Sequence, residues 1–263
     1  MNPQIVGIVN ITTDSFSDGG QFVESEKAIA HAQQLLLQGA DWLDLGAESS
    51  NPDGERVSAA EEIARLTPVI QALNSARLAI DTYKPEVMAH CLAMGAGMIN
   101  DITALKSPDS VEVMKSFRVP VVLMFARNQG PRAEKQLGNP ETILAEIETF
   151  FAHRIEQLLK SGLREEQIIL DPGMGFFLGS NPEPSLRVLQ GLERLKKLGR
   201  PLYVCVSRKS FIGSVLGGRP PQERQYGTLA AEIWAVLQGV AYVRTHAVAP
   251  LRDALRVLQA IQM

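Results

Sequence analysis

Short apolar runs alternate with amphipathic stretches along the whole chain, and this alternation constrains the fold more than any other feature of the sequence. Eight runs have the length and composition of strands that are buried on both faces: Ile5–Ile11, Trp42–Gly46, Leu78–Thr82, Met98–Ile102, Val121–Phe125, Ile168–Asp171, Leu202–Val206 and Tyr242–His246. A stretch with the apolar spacing of a helix follows each of them: Ala28–Leu37, Ala60–Leu73, Glu86–Met94, Val111–Phe117, Ile143–Leu159, Leu186–Leu198, Leu229–Leu237 and Leu251–Ile261.

Eight successive strand–helix units without a break in composition predict a closed (β/α)8 TIM barrel, which is an α/β fold. The 263 residues suit one such barrel, so we expect a single domain spanning residues 1–263. An open, doubly wound sheet would show the same alternation. The prediction of a closed barrel therefore depends on the number of strands.

The overall charge argues against large anionic partners. A net charge of −3 and a pI of about 5.9 give no positive field that would attract nucleic acid or an anionic membrane. No apolar run approaches the roughly 20 residues of a membrane span, and the N-terminus lacks the basic region of a signal peptide. Cys91 and Cys205 lie singly in apolar runs. We therefore expect buried free thiols and a cytoplasmic protein.

Polar side chains end seven of the eight predicted strands, at the face where the active sites of such barrels lie. These residues are Asn10, Asp44, Glu48, Asp81, Asn100, Asp101, Asp171, Ser207, Arg208, Lys209, Arg244 and His246. The fifth strand instead ends in Met124 and Phe125. So many polar strand ends on one face predict a binding site there.

Two chemical groups stand out among these residues. Carboxylates and a carboxamide on strands three, four and six can hydrogen-bond the edge of a flat heterocycle, because an aspartate can accept two N–H bonds. Cations on the neighbouring strands seven and eight lie where such barrels often bind phosphate. The first group is Asp81, Asn100 and Asp171, and the second is Lys209, Arg244 and His246.

Simpler interpretations remain open for several of these positions. A single Asp or Asn at a strand end is often a cap or turn residue. Asn100-Asp101 and Asp171-Pro-Gly173 could each turn the chain in this way. The polar stretch Thr12–Gly20 is either a loop that closes over a ligand, with Phe16 as an apolar lid, or an ordinary connection.

Six segments resemble the signature blocks of the dihydropteroate synthase family, in the family's order and over essentially the whole chain. They are Gly7-Ile-Val-Asn-Ile-Thr-Thr-Asp-Ser-Phe-Ser-Asp-Gly-Gly20, Ile80-Asp-Thr-Tyr-Lys84, Ile99-Asn-Asp-Ile102, Leu170-Asp-Pro-Gly-Met-Gly-Phe176, Val206-Ser-Arg-Lys-Ser-Phe211 and Arg244-Thr-His246. The first block and the Ser-Arg-Lys-Ser block are highly specific, whereas the Asp-Pro-Gly block alone would not be.

The resemblance implies a pterin-binding barrel that condenses 6-hydroxymethyl-7,8-dihydropterin pyrophosphate with p-aminobenzoate, releasing pyrophosphate, with Mg²⁺ as cofactor and a homodimer as the assembly. It also implies roles for individual residues. The pterin would bind to Asp81, Asn100, Met124, Asp171 and Lys209. The pyrophosphate would bind to Asn10, Arg244 and His246, with Asn10 also at the metal. The p-aminobenzoate would bind to Phe16, Ser49, Ser50, Pro52, Phe176 and Ser207. Lys209, Asp81 and Arg244 would be the catalytic residues.

Departures from the family pattern lie near the p-aminobenzoate side. Asn51 replaces a usual Arg, Phe125 replaces a common His, Ala247 replaces a closing Asp, and Gly175-Phe-Phe-Leu178 replaces Gly-Phe-Gly-Lys. These forms resemble the sulfonamide-insensitive (Sul-type) branch of the family. Added bulk at Phe176 and Phe177 would clash with the part of a sulfonamide that extends beyond p-aminobenzoate. The alternative is a sulfonamide-sensitive enzyme of a divergent lineage.

Functions of other classes fit the sequence less well. A pterin-binding methyltransferase domain that acts with a corrinoid protein would not need the Ser207–Ser210 block in this form. A non-catalytic pterin-binding module would leave the polar strand ends unused. A phosphosugar enzyme would give Asp81 and Asn100 no purpose. Pyrophosphate release that depends on p-aminobenzoate separates these alternatives from the synthase.

Overall fold

The predicted apolar runs form eight parallel strands in the part of the chain that the computed structural model describes, which is residues 3–11, 18–49, 56–128, 130 and 136–262. The strands are β1 (Gln4–Asn10), β2 (Trp42–Gly46), β3 (Leu78–Asp81), β4 (Met98–Asp101), β5 (Val121–Met124), β6 (Ile168–Asp171), β7 (Tyr203–Val204) and β8 (Tyr242–Thr245). The apolar, β-branched composition of these runs accounts for strands that are buried on both faces.

Helices follow the strands and cover their outer faces. Within the described residues they are α1 (Asp18–Leu37), α2 (Ala59–Ala72), α3 (Pro85–Ala93), α4 (Pro108–Phe117), α5 (Ile143–Lys160), α6 (Glu183–Gln190), α7 (Leu192–Leu195), α8 (Ser210–Val215), α9 (Gln225–Leu237) and α10 (Val248–Gln262). The hydrophobic core between strands and helices forms one continuous cluster. A short 3₁₀ turn at Gly175–Phe177 follows β6 at the mouth of the barrel.

The strand order shows that the sheet closes on itself. Neighbouring strands pair in the order β6-β5-β4-β3-β2-β1-β8-β7, and all pairs are parallel. An isolated parallel bridge between Leu170 and Leu202 joins the two ends, with the Leu170 N–H donating to Pro201 O at 2.9 Å. The prediction of a closed (β/α)8 barrel is therefore confirmed.

The interior of the barrel has two layers, because successive strand residues point to opposite faces and every second residue points inward. The lower layer is apolar and consists of Val6, Trp42, Ala79, Met98, Val122, Ile169 and Tyr203. Two positions further along the same strands stand Ile8, Asp44, Asp81, Asn100, Met124, Asp171 and Cys205. The upper layer is thus largely polar, and it lies at the carboxyl ends of the strands.

Two departures from the sequence prediction have a clear structural cause. The predicted strand Leu202–Val206 is reduced to Tyr203–Val204, because the chain leaves the sheet for a turn before α8. The predicted helix Leu186–Leu198 is divided at Gly191, where a Cβ would lie 2.6 Å from the side chain of Leu144. Close packing against α5 therefore decides where this helix breaks.

The two cysteines are buried free thiols, as expected from the sequence. Cys91 and Cys205 both lie in the described part of the chain, where they are buried and form no disulfide. Among the helices described, none combines the length and the apolar character needed to cross a membrane.

Candidate active site

A cavity of about 680 Å³ opens at the carboxyl ends of the strands. It brings together every predicted site residue that the structure describes: Asn10, Ser49, Asp81, Asn100, Met124, Asp171, Phe176, Ser207, Lys209, Arg244 and His246. The predicted residues Phe16, Ser50 and Pro52 lie outside the described residues. Side chains that are far apart in the sequence therefore share one site because parallel strands end at the same face.

Arg244 on β8 is the centre of the polar layer. Its Nε donates to Asp44 Oδ2, and its Nη2 donates to Asp81 Oδ2 at 2.9 Å. The Asn100 side chain donates to the same Asp44 oxygen at 3.1 Å. One guanidinium thus connects β2, β3 and β8 and, through Asp44, also β4.

Asp44 is a polar strand residue to which the sequence prediction gave no role in the site. It is fully buried below the cavity, and its position in the middle of β2, two residues after Trp42, makes it inward-facing. The signal was a charged residue inside an otherwise apolar run. A buried carboxylate requires a partner, and Arg244 supplies it.

Burial perturbs the charges of this network. It raises the pKa of Asp81 above the ordinary value, although the Arg244 guanidinium opposes this shift. Burial also disfavours the charge of Arg244, but the neighbouring carboxylates Asp44 and Asp81 outweigh it and raise its pKa well above the usual range. Arg244 is therefore a permanent cation in the centre of the barrel, available to an anionic group above it.

Asp171 at the end of β6 and Lys209 directly before α8 also line the cavity. Burial raises the pKa of Asp171 to about 6, against the opposing effect of Lys209. Asp171 Oδ1 also accepts the Gly173 N–H at 2.8 Å, so this residue turns the chain and faces the cavity as well. Lys209 Nζ donates to Met174 O at 3.2 Å and lies 5.2 Å from the centre of the Phe177 ring.

The two residues of the Asn100-Asp101 pair have different functions. Asn100 lines the cavity, whereas Asp101 faces outward. Asp101 accepts backbone N–H bonds from Thr103 at 2.7 Å and from Leu105 at 2.8 Å. Asp101 is therefore a turn residue, whereas Asn100 lies in the cavity.

Ser207 and His246 meet at the side of the cavity near β8. The Ser207 hydroxyl lies 2.9 Å from His246 Nδ1 and accepts the backbone N–H of His246 at 3.1 Å. Burial, with Arg244 second, lowers the pKa of His246 to about 3. The imidazole is therefore neutral near pH 7, and it offers hydrogen bonds instead of a charge.

An apolar wall completes the site. Met124 and Phe177 pack together, with Ile102, Ala126 and Phe176 against them. The backbone of this wall is fixed, because the Arg127 N–H donates to Phe177 O at 3.0 Å. Polar groups facing an apolar wall are suited to a flat, hydrogen-bonding ring.

Cavity residues to which the sequence prediction gave no role include Cys205, Ser210 and Arg224. Cys205 lines the cavity, and its Sγ lies 3.7 Å from Arg244 Nη1. Ser210, the first residue of α8, also lines the cavity directly after Lys209. The inward register of β7 would have revealed Cys205, two residues after the buried Tyr203.

Comparisons with known proteins agree with this geometry. A sequence model of the family described as pterin binding enzyme matches residues 6–246. Dihydropteroate synthase type-3 of Escherichia coli is 45% identical over 261 residues, which cover 98% of this chain and 99% of that protein.

Solved structures show the same similarity. Xanthomonas albilineans dihydropteroate synthase in complex with 7,8-dihydropteroate aligns with a TM-score of 0.85 at 39% identity, covering 99% of this chain and 94% of that one. Yersinia pestis dihydropteroate synthase with a sulfonamide drug aligns with a TM-score of 0.89 at 36% identity, covering 99% and 94%.

Proposed function

The chain belongs to the dihydropteroate synthase family of pterin-binding enzymes, and on this premise we propose that it condenses 6-hydroxymethyl-7,8-dihydropterin pyrophosphate with p-aminobenzoate to form 7,8-dihydropteroate. The observation that carries the proposal is the convergence of Asp81, Asn100, Asp171, Lys209 and Arg244 on one cavity. The enzyme is a transferase of folate biosynthesis.

We assign the pterin to the region between the carboxylates of the cavity and the apolar wall. The N–H groups of the ring would donate to Asp171, which is buried, and to Asp81, whose side chain is partly exposed to the cavity. Asn100 can both donate and accept at the ring edge. Lys209 and the Met124 side chain would enclose the ring from the two remaining sides.

The leaving pyrophosphate fits the cationic side of the cavity, where Arg244 and neutral His246 present N–H donors. The bond from the pterin methylene to the pyrophosphate oxygen breaks, and its electron pair leaves with the pyrophosphate. The lone pair of the arylamine nitrogen forms the new C–N bond, and the nitrogen then loses a proton. Arg244 stabilises the charge that develops on the leaving oxygen.

Asn10 fits a Mg²⁺ ion that arrives with the substrate. The described residues contain no group of three or more His, Cys, Asp or Glu side chains that could hold a metal. Mg²⁺, however, commonly binds through one protein oxygen together with substrate phosphates and water. The exposed carboxamide of Asn10 at the end of β1 supplies such an oxygen. When bound, the ion would neutralise charge on the pyrophosphate.

The p-aminobenzoate would lie between Ser49, Phe176 and Ser207, all of which line the cavity. Because the Ser207 hydroxyl already contacts His246, Ser207 connects the arylamine region to the leaving-group region. Ser210, at the first turn of α8, adds a hydroxyl on the same wall.

Pyrophosphate release measured with both substrates and Mg²⁺ tests this function. We expect release that depends on p-aminobenzoate, with 7,8-dihydropteroate formed in equal amount. A corrinoid-dependent methyltransferase or a non-catalytic module would release none. Absence of release with all components present would contradict the proposal.

We further propose that the enzyme accepts p-aminobenzoate and resists sulfonamides. The support is the bulk of the Gly175–Phe177 turn, where both phenylalanines line the cavity and Phe177 is held against Met124. A sulfonamide extends beyond the outline of p-aminobenzoate, so a rigid wall there penalises the drug more than the substrate.

Inhibition by sulfamethoxazole at matched p-aminobenzoate saturation tests this selectivity. We expect weak inhibition of the wild type and at least about tenfold tighter inhibition of Phe177→Gly, because a clash worth about 1.4 kcal/mol would be removed. Phe117→Ala on the exposed end of α4 is the matched control and should not change inhibition. Tight competitive inhibition of the wild type would contradict the proposal.

A homodimer is the assembly that we propose. Tyr226, Trp234 and Leu237 recur at helical spacing on one exposed face of α9, and Tyr226 is 82% exposed. Large apolar side chains grouped on one face favour contact with another protein surface. Sedimentation velocity should give a dimer for the wild type and a monomer for Tyr226→Glu. A monomeric wild type would contradict the assignment.

A further inference from the structure

The Ser207–Lys209 segment contains an unfavourable backbone conformation between two residues of the site. The Lys209 N–H donates to Val206 O at 3.1 Å, which closes a four-residue turn. Arg208, the third residue of this turn, has a φ of +58°. Turns with positive φ at the third position strongly favour glycine there, because a side chain strains the left-handed region.

Two side chains from outside the turn hold Arg208 in this conformation. The Thr228 hydroxyl accepts the Arg208 N–H at 3.0 Å, and Arg224 Nη1 donates to Arg208 O at 2.8 Å. Both backbone polar groups of the strained residue are therefore bonded to the α9 region. Thr228 is 2% exposed, so water cannot readily replace its hydroxyl.

The chain around the turn is shaped to hold the Arg224 guanidinium. Its Nε donates to Arg219 O at 2.7 Å. A Cβ at Gly213 of α8 would lie 2.5 Å from the same Nε, so glycine leaves the room that the guanidinium occupies. The Thr228 N–H also donates to Arg224 O at 2.8 Å, which connects the two contacts into one unit.

We propose that Thr228 and Arg224 are positioning residues, which hold the left-handed turn at Arg208 so that Ser207 and Lys209 both face the substrate cavity. The inference rests on the proposed function, because it assigns these residues to the pterin pyrophosphate site. Without the two contacts, Arg208 would relax toward negative φ. The relaxation would rotate Ser207 away from His246 and Lys209 away from Met174 O, the contacts that the turn now allows.

The first experiment compares Thr228→Val with Thr228→Ser. Valine keeps the shape and removes the acceptor, and we expect the KM for pterin pyrophosphate to rise about tenfold, as for loss of one ordinary buried hydrogen bond. Serine should restore it to within about twofold. Thr67→Val on α2, whose hydroxyl donates to Ile63 O, is the matched control and should leave KM unchanged.

The second experiment uses Arg208→Gly as a suppressor. Glycine adopts positive φ without strain, so the turn should depend less on Thr228 when residue 208 is glycine. We expect Thr228→Val to raise KM by no more than about threefold in the Arg208→Gly background. An equal effect in both backgrounds would overturn the proposal. So would a Thr228→Val variant that has lower melting temperature and unchanged KM. Thr228→Ala, which also removes the acceptor of the Arg208 N–H, gives the same comparison where Thr228→Val folds poorly.

Titration calorimetry with inorganic pyrophosphate separates this inference from the proposed function, because it needs no turnover. We expect Thr228→Val to weaken pyrophosphate binding and Arg208→Gly to suppress the loss. An inactive wild type that shows this pattern would refute the synthase assignment and leave the positioning role intact. An active wild type whose pyrophosphate affinity and KM are insensitive to Thr228→Val would refute the positioning role alone.

Discussion

Replacing Asp44 with asparagine measures how much the buried network beneath the cavity contributes to catalysis. Asp44 Oδ2 accepts bonds from Arg244 Nε and from the Asn100 side chain, and the residue touches no solvent. Asparagine keeps the volume and one acceptor oxygen but removes the negative charge. Arg244 then still pairs with the charged Asp81, but the orientation of the Arg244 guanidinium toward the leaving group is less well fixed.

The expected loss follows from the bonds that change. Hydrogen bonds to charged groups contribute about 1.5–3 kcal/mol each. Because asparagine still accepts one of these hydrogen bonds in part, we expect the stabilisation of the transition state to fall by about 2–3 kcal/mol. This corresponds to roughly a 30- to 150-fold fall in kcat/KM. Pyrophosphate release at varied substrate concentrations measures it, with the melting temperature recorded in parallel.

Asp41→Asn is the matched control for Asp44→Asn. Asp41 accepts the Ile5 N–H at 2.7 Å and pairs with Arg252 at 2.8 Å, at the amino end of β2. The same chemical change there should lower stability without altering kcat/KM. If Asp44→Asn keeps kcat/KM within twofold of wild type while remaining folded, the network does not orient Arg244 for catalysis.

Other substitutions test the remaining assignments. Asp81→Ala or Asp171→Ala should weaken pterin binding by about 1–3 kcal/mol in calorimetry, because ring N–H groups lose their acceptor; unchanged affinity in both would remove them from the pterin site. Arg244→Ala should impair pyrophosphate handling more than p-aminobenzoate affinity, and steady-state kinetics with each substrate varied would expose the reverse pattern. Burial raises the pKa of Asp171 from 3.8 to about 6, so the folded protein retains a proton that the unfolded chain loses, and the free energy of unfolding should fall as pH rises through this interval. Denaturant titrations should show a smaller fall for Asp171→Asn, and an identical pH dependence would contradict the shift. His246→Gln should keep the shape of the kcat/KM profile between about pH 5 and 8, because the pKa of His246 is lowered to about 3; loss of a limb near neutral pH would show that the imidazole titrates in the enzyme.

The sequence predicts the barrel because its signal is local and repeated. Each strand is a short apolar run, so eight runs are recognisable without knowledge of tertiary contacts. The break between α6 and α7 could not be predicted in this way. It depends on the approach of Leu144 to Gly191, a contact between residues that are distant in sequence.

The site was predictable to the extent that polar residues end the strands. Asp81, Asn100 and Asp171 were predicted from their positions, and all line the cavity. Asp44 was noted as polar but not assigned to the site, because its importance comes from Arg244, 200 residues later in the chain. The strained turn at Arg208 has no sequence signal, since a positive φ at arginine is visible only in the backbone.

The same apolar layer that closes the lower barrel also sets the electrostatics of the site above it. Trp42, Tyr203 and their neighbours exclude water from below the polar layer. Since little solvent remains to screen the charges, burial raises the pKa values of Asp81 and Asp171, and Arg244 is bound more strongly by its carboxylates. A protein that builds its core from inward-facing strand residues therefore creates a low-dielectric floor for its active site by the same packing. In the proposed mechanism, the cation of Arg244 acts on the leaving pyrophosphate with little screening from below, because the core beneath it is apolar.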